Sequence, residues 1–164
     1  MKQLSLVIAA ALVFSGCANQ APATPSARPD AGERRIPVPV LRIGQPAAID
    51  LFGDGRATIT VATTELSKLD NGDRLVVTID ILLNKAGKPI SGGPENFRFR
   101  DADSVLHNAL TDERAFPPQL PSVTLTTAGQ AVHGRLYFDV PAGSAAGGHI
   151  QLMTGALVHA VWAV

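Results

Sequence analysis

The segment Thr124–Gly143 has the clearest alternation of hydrophobic and polar side chains in the chain. One side of an extended backbone would present Val132, Gly134, Leu136, Phe138 and Val140, and the other side His133, Arg135, Tyr137 and Asp139. A period of two is typical of a β-strand, so we predict a strand with one face in the core and one in solvent. Pro141 has no backbone N–H and ends this strand, and Ala142–Gly148 is predicted to be a flexible loop between strands.

A second strongly alternating strand is predicted at Arg74–Leu83. Its inward positions are Leu75, Val77, Ile79, Ile81 and Leu83, and Thr78 and Asp80 lie on the other face. Burial of such a side chain contributes roughly 1.5 to 3 kcal/mol before entropy is counted. We therefore expect this strand to form the centre of the core.

Turn residues divide the rest of the domain into short β-rich segments. Asp54-Gly55 and Asn71-Gly72 are typical of hairpin turns. Prolines make Ile36–Ile43 an edge strand or lead-in and Asp112–Pro121 an irregular crossover. The remaining predicted strands are Ala47–Phe52, Ala57–Leu66, a short strand with Phe97 and Phe99 and its return near Val105, His149–Met153, and Leu157–Val164. This pattern predicts an all-β fold, an immunoglobulin-like antiparallel β-sandwich of seven to eight strands at residues 36–164.

Residues 1–16 have the features of a signal peptide. Lys2 precedes an apolar run from Leu4 to Phe14, which is shorter than the roughly 20 residues that a spanning helix needs. Ser15 and Gly16 precede Cys17, as in the bacterial lipobox, where the cysteine is diacylated, for example with palmitate. Cys17 is also the single cysteine of the chain, so it has no disulfide partner within it. We predict lipidation at Cys17, and cleavage without a lipid is the alternative.

Residues 17–35 continue as a Pro- and Ala-rich tether without apolar periodicity. A proline-rich chain of this length spans up to roughly 55 Å. We therefore expect a sandwich held at the outer face of the cell membrane by its N-terminal lipid.

Composition argues against a nucleic-acid partner. The 164 residues include 14 basic and 14 acidic side chains, with a formal net charge of zero, one Trp and one Tyr. Proteins that bind nucleic acid usually concentrate basic residues on one face, often with aromatic residues. The partner is expected to be a protein or a small molecule.

Three segments resemble a known family of exported domains. Leu75–Asn84 is a strand that closes in an asparagine, Phe97–Asp101 fits F-x-x-x-D, and Gly129–Pro141 fits G-x-x-V-x-G-x-L-x-F-x-V-P. They resemble the immunoglobulin-like extracellular domain of Gram-positive and actinobacterial lipoproteins, which is related to a secreted immunogenic antigen of mycobacteria. The resemblance implies the same fold and an exported domain. Because the family has no accepted catalytic residues, it implies none here.

Candidate chemistry is sparse. Ser144 lies between Gly143 and Ala145, without the G-x-S-x-G spacing of a nucleophile elbow, and Gly53 and Gly55 lack the helix that a dinucleotide site requires. His149 and His159 fall on consecutive predicted strands and could approach one another as a pH-sensitive pair or half a metal site. We predict no catalytic residues, no resident metal and no cofactor.

The loop after Phe97 is rich in carboxylates. Asp101 and Asp103 are candidate binding residues there. Together with Asp112 and Glu113 they leave calcium binding open, although solvated loop acids are the simpler interpretation.

Our first hypothesis is a lipid-anchored, non-catalytic binding or interaction domain. The alternative is a carrier that holds a small molecule or lipid between the sheets, which requires an interior cavity, and an enzyme is the third hypothesis.

Overall fold

Regular structure is almost entirely β-strand in residues 38, 40–51, 55–111 and 118–164, which the computed structural model describes. These residues form eleven strands and one short 3₁₀ turn, Pro94–Asn96. None of their helical segments is long and apolar enough to cross a membrane. The strands are β1 (Val40–Arg42), β2 (Pro46–Leu51), β3 (Gly55–Leu69), β4 (Gly72–Lys85), β5 (Ile90–Ser91), β6 (Phe97–Arg100), β7 (Leu106–Asn108), β8 (Thr124–Leu125), β9 (Ala131–Val140), β10 (His149–Thr154) and β11 (Leu157–Ala163).

The strands form two main sheets. One has the order β2-β3-β4-β9, the other has the order β1-β11-β10-β6-β7, and β5 and β8 form a separate pair. Among the described strands β1 pairs with β11 in parallel, whereas the other pairings are antiparallel. The predicted immunoglobulin-like β-sandwich is confirmed. The strand number exceeds seven to eight chiefly because β5 and β8 have only two residues each, too few for an alternation to be detected. The three-residue strands β1 and β7 correspond to the predicted edge strand and to the predicted return after β6.

The inward face of β4 is the centre of the core, as predicted. Its five inward side chains are at most 3% exposed: Leu75, Val77, Ile79, Ile81 and Leu83. The opposite sheet contributes Phe97, Phe99, Ile150 and Trp162, which are fully buried. The rings of Phe99 and Phe138 lie 5.9 Å apart between centroids and join β6 of one sheet to β9 of the other. The two alternating strands therefore fix the position of the core.

The outer face of β9 is less exposed than its alternation predicts. Tyr137 is only 7% exposed, and its carbonyl accepts a hydrogen bond from the Leu110 N–H at 2.8 Å. The crossover also reaches this edge, because Leu120 donates its N–H to the Arg135 carbonyl at 2.8 Å. The prediction that Tyr137 faces solvent is wrong, since chain segments distant in sequence cover this edge.

The loop at residues 142–148 is packed rather than a flexible linker. Ser144 and Ala145 are buried, and the Gly143 N–H donates to Oδ2 of the buried Asp73 at 2.8 Å. The Ser144 hydroxyl donates to the Pro141 carbonyl at 2.9 Å. The loop therefore has fixed partners.

The return after β6 begins later than predicted. Val105 is 53% exposed and precedes β7, whose pairing with β6 starts with Leu106 opposite Arg100. Val105 is therefore not part of the strand.

Several predicted segments lie outside the described residues. These are the signal peptide at residues 1–16, Cys17, the tether at 17–35, the start of the domain at 36–37 and residues 112–117 of the crossover.

Candidate functional site

A cavity of about 190 Å³ lies between the two main sheets. Its floor consists of buried apolar side chains from both sheets: Ala57, Ile59 and Ile81 from one, and Phe97 and Leu152 from the other. These five residues come from four strands, β3, β4, β6 and β10, that lie far apart in the sequence. The core of the sandwich is thus incompletely filled at this end.

The rim of the cavity is polar on one side. Ser91, Asn96, Thr154 and His159 line it together with Pro89 and Ile90. Ser91 and Pro89 are exposed, whereas Asn96, Thr154 and His159 are half-buried. The exposed residues mark the side from which a molecule could enter.

A β-bulge places His159 at this rim. Leu152 pairs with Ala160 and Met153 with Val158, so His159 is one extra residue in β11 without a partner in β10. A bulge of this kind turns the side chain of its extra residue away from regular alternation. His159 consequently lies beside Thr154 on the cavity side, and its Nε2 and the Thr154 Oγ1 form a hydrogen bond.

Burial dominates the electrostatics of His159. It lowers the pKa of His159 below its ordinary value of 6.5, because the charged imidazolium would lose water contacts. The residues that line the cavity include neither a carboxylate nor a Lys or Arg. His159 is therefore the one titratable side chain of the cavity lining, and it favours the neutral form.

The structure does not bring His149 and His159 together. His149 pairs with Ala163, four residues beyond His159 along β11, which corresponds to a separation of about 13 Å. His149 instead shares a shallow depression on the five-stranded sheet with Asp101. The predicted pH-sensitive pair or half metal site is not formed by these two residues.

Asp101 is engaged in its own loop. Its Oδ1 accepts a hydrogen bond from the Val105 N–H at 2.8 Å, and its Oδ2 lies 2.9 Å from His107 Nε2. The hydrogen bond with His107 is the main reason why the pKa of Asp101 lies below its ordinary value. Asp103, in contrast, is exposed. Among the described residues, no group of three or more His, Cys, Asp or Glu side chains is arranged to hold a metal ion.

A second His–Asp pair lies on the outer face of the four-stranded sheet. His133 Nδ1 and Asp80 Oδ1 are 2.5 Å apart, and strand register places Thr60 on the far side of Asp80. Nucleophilic catalysis would require the imidazole between the hydroxyl and the carboxylate. Here the carboxylate is in the middle, so this row does not form a catalytic triad.

The alternation of side chains along the chain locates neither the lining of the cavity nor the two His–Asp pairs. Thr154 falls between the last two predicted strands, and no close spacing of ligand residues in the sequence marks His107. The pairing of Asp80 with His133 could have been inferred by aligning the two alternating strands, since both residues fall on their outward faces. The bulge at His159 leaves no such signal.

Comparison with solved structures shows the same fold in two bacterial proteins. A secreted protein of Mycobacterium tuberculosis, MPT63, has a TM-score of 0.64 and 18% identity, with 79% of this chain and 99% of that chain covered. The yjhA protein of Bacillus subtilis has a TM-score of 0.54 and 16% identity, with 76% and 99% covered. The first likeness is consistent with the predicted relation to a secreted mycobacterial protein.

Comparisons with protein-family models and with curated proteins gave no match. At 18% and 16% identity, the likeness to these solved structures shows the fold alone.

Proposed function

We propose that this chain is a lipid-anchored, non-catalytic binding domain at the outer face of the bacterial cell membrane, and that it binds a small apolar molecule in the cavity between its sheets. The cavity is the observation that supports this function best. It has a floor of buried apolar side chains and a few polar groups at its rim. This combination is typical of small-molecule sites.

The size of the cavity limits the ligand. Its volume of about 190 Å³ lies below the roughly 300 to 1,000 Å³ of most ligand pockets. It exceeds the roughly 150 Å³ of an engineered apolar cavity that binds benzene in another protein. A compact ring-sized molecule fits this volume, whereas a full acyl chain does not. A small-molecule carrier is therefore favoured over a lipid carrier.

The location rests on the N-terminal sequence and on the fold. Residues 1–16 have the features of a lipoprotein signal peptide, and Cys17 follows them in the lipobox position. One protein with the same fold is described as secreted.

The residues that surround the cavity support a non-catalytic role. None of the groups at the cavity rim is placed as a nucleophile beside both a general base and an orienting carboxylate.

An interaction domain that binds another protein through its exposed surface is the second candidate. Exposed apolar side chains support it, including Leu66 and Leu69 on the long β3 strand. Exposed hydrophobic residues are also common on proteins without such partners, so this candidate ranks below the cavity.

Filling the cavity tests the proposed function. In the variant Ala57→Leu, a larger side chain would occupy the floor, because Ala57 is fully buried and lines the cavity. Ala48→Leu is the matched control, since Ala48 is exposed on the neighbouring strand β2. Toluene is the probe, and backbone amide shifts in NMR spectra report its binding.

We expect toluene to shift the amides of the cavity strands in the wild type and in Ala48→Leu but not in Ala57→Leu. Thermal melts of the three proteins verify that each is folded. If Ala57→Leu does not fold, Ile59→Ala replaces it. That variant enlarges the same cavity and should accept a bulkier ring such as naphthalene. Absence of any toluene response in the folded wild type would refute the proposal.

A further inference from the structure

The polar rim of the cavity defines a ligand class, on the condition that the proposed function is right. We propose that Thr154 and His159 bind a hydroxyl group, so that the cavity takes a small neutral molecule with one hydroxyl on a compact apolar body, such as a simple phenol. The proposal rests on the bulge that places His159 beside Thr154 and on the uncharged lining of the cavity.

The hydrogen bond between Thr154 and His159 leaves capacity for a third group. A threonine hydroxyl has one donor and two acceptor positions, and a neutral imidazole has one nitrogen that accepts. When the Thr154 hydroxyl donates to His159 Nε2, its oxygen can still accept from a ligand. A ligand hydroxyl that donates to Thr154 completes a chain of hydrogen bonds with a single direction. Such chains strengthen each member.

The absence of charged groups from the cavity lining selects a neutral ligand. The lining residues come from β3, β4, β5, the 3₁₀ turn, β6, β10 and β11, and His159 is the titratable member. Glu95 and Lys88 lie next to lining residues in the sequence, and the Glu95 carboxylate is hydrogen-bonded to Ser91 and Ser122. An ammonium ligand would be desolvated without a counter-charge, which is strongly unfavourable. A carboxylate ligand would find a counter-charge only if His159 took up a proton, which burial of the imidazole opposes.

Protonation of His159 should oppose ligand binding. Burial already lowers the pKa of His159 in the free protein, and a ligand that covers the rim removes more water from the imidazole. His159 therefore has a lower pKa in the ligand-bound protein than in the free protein, and low pH favours the ligand-free protein. The affinity should fall as the pH drops below the pKa of the free protein, by about tenfold for each unit by which binding lowers that pKa.

Phenol and toluene form a matched pair of probes because they have the same size and differ by a hydroxyl in place of a methyl. The experiment uses the chain from Ala18 onward, which contains every residue of the described core. Dissociation constants come from NMR titration at pH 7.5 for the wild type and for Thr154→Val, in which a methyl replaces the hydroxyl. Thr154→Ser keeps the hydroxyl and serves as the rescue variant.

We expect Thr154→Val to weaken phenol binding by about tenfold and to leave toluene binding nearly unchanged. Thr154→Ser should retain the preference of the wild type. Equal weakening of both probes by Thr154→Val would overturn the inference and leave the proposed function intact. Failure of the wild type to bind either probe would overturn the proposed function together with the inference.

The pH profile is the second readout. Phenol affinity of the wild type should fall between pH 7.5 and pH 5.0, whereas His159→Gln, which keeps a polar side chain without a proton to gain, should show a flat profile. A flat profile for the wild type, or an identical slope for both proteins, would overturn the role of His159. If His159→Gln does not fold, His159→Asn is tested in the same way.

Discussion

Phe138 and Asp139 are sequence neighbours in opposite environments. Phe138 is fully buried against Phe99, whereas the side chain of Asp139 is 46% exposed and pairs with Arg74 at 2.6 Å. Phe138→Ala should cost about 3 to 5 kcal/mol of unfolding free energy, and Asp139→Ala about 1 kcal/mol or less. Denaturant midpoints of the two variants give the comparison, and similar losses would contradict the observed strand register.

His159 should make stability depend on pH. Its pKa in the folded protein lies below the ordinary value of 6.5 because of burial, so the unfolded chain binds the proton more strongly. The free energy of unfolding should be highest above pH 6.5, decrease as the pH falls through that value, and level off below the folded pKa. Urea unfolding between pH 5 and pH 8 measures this slope, and His159→Gln should remove part of it. Identical slopes in both proteins would count against the lowered pKa of the half-buried His159 imidazole.

At the level of strands, alternation predicted the inward faces well. The inward positions of β4 are buried as predicted. Ala57, Ile59 and Val61 of β3 are buried with the same period of two, because each strand has one face on the core. The alternation predicts the wrong environment for Tyr137, because the chain near Leu110, distant in sequence, bonds to this part of β9. His159 escaped prediction because a bulge changes the direction of a side chain without changing the hydrophobic pattern.

The docking of the crossover on β9 depends on Gly134. A Cβ atom at this position would lie 2.6 Å from the Leu120 backbone nitrogen, which is closer than real contacts allow. Gly134→Ala should therefore push residues 118–120 away from β9 and cost about 1 to 3 kcal/mol. Hydrogen exchange should accelerate at the Leu120 and Arg135 amides, which bond across this contact. Val132→Ala on the same strand serves as the control, and unchanged protection in Gly134→Ala would refute the close approach.

For the whole molecule, the sequence was sufficient to predict the sandwich but not its cavity. Repeated alternation and turn residues determine how many strands pack and which faces meet. A cavity is the volume that remains after side chains from several strands have packed, and no single segment carries a signal for it. The same reason explains why the sequence leaves open an approach of His149 to His159, since only strand register shows that they lie far apart along the sheet.

The predicted lipid anchor at Cys17 also concerns the whole molecule. Cys17 follows Ser15 and Gly16 and is the single cysteine of the chain. Cys17→Ala should release the protein from the membrane fraction or leave an uncleaved precursor, because the thiol that would carry the lipid is missing. Detergent-phase partitioning of the wild type and the variant provides the measurement. Unchanged partitioning would mean that the membrane association has another cause.

The bulge gives β11 an unusual tolerance to a change in length. If His159 were deleted, the pairs Leu152–Ala160 and Met153–Val158 would follow one another in a regular ladder. No other residue of the strand would exchange its face, whereas loss of one residue elsewhere in a paired strand reverses every side chain beyond the gap. The variant that lacks His159 should therefore have a circular dichroism spectrum like that of the wild type and should unfold cooperatively. The variant that lacks Val161 should not fold. Among sequences that share this fold, a gap of one residue at this point would then mark loss of the proposed ligand site without loss of the sandwich.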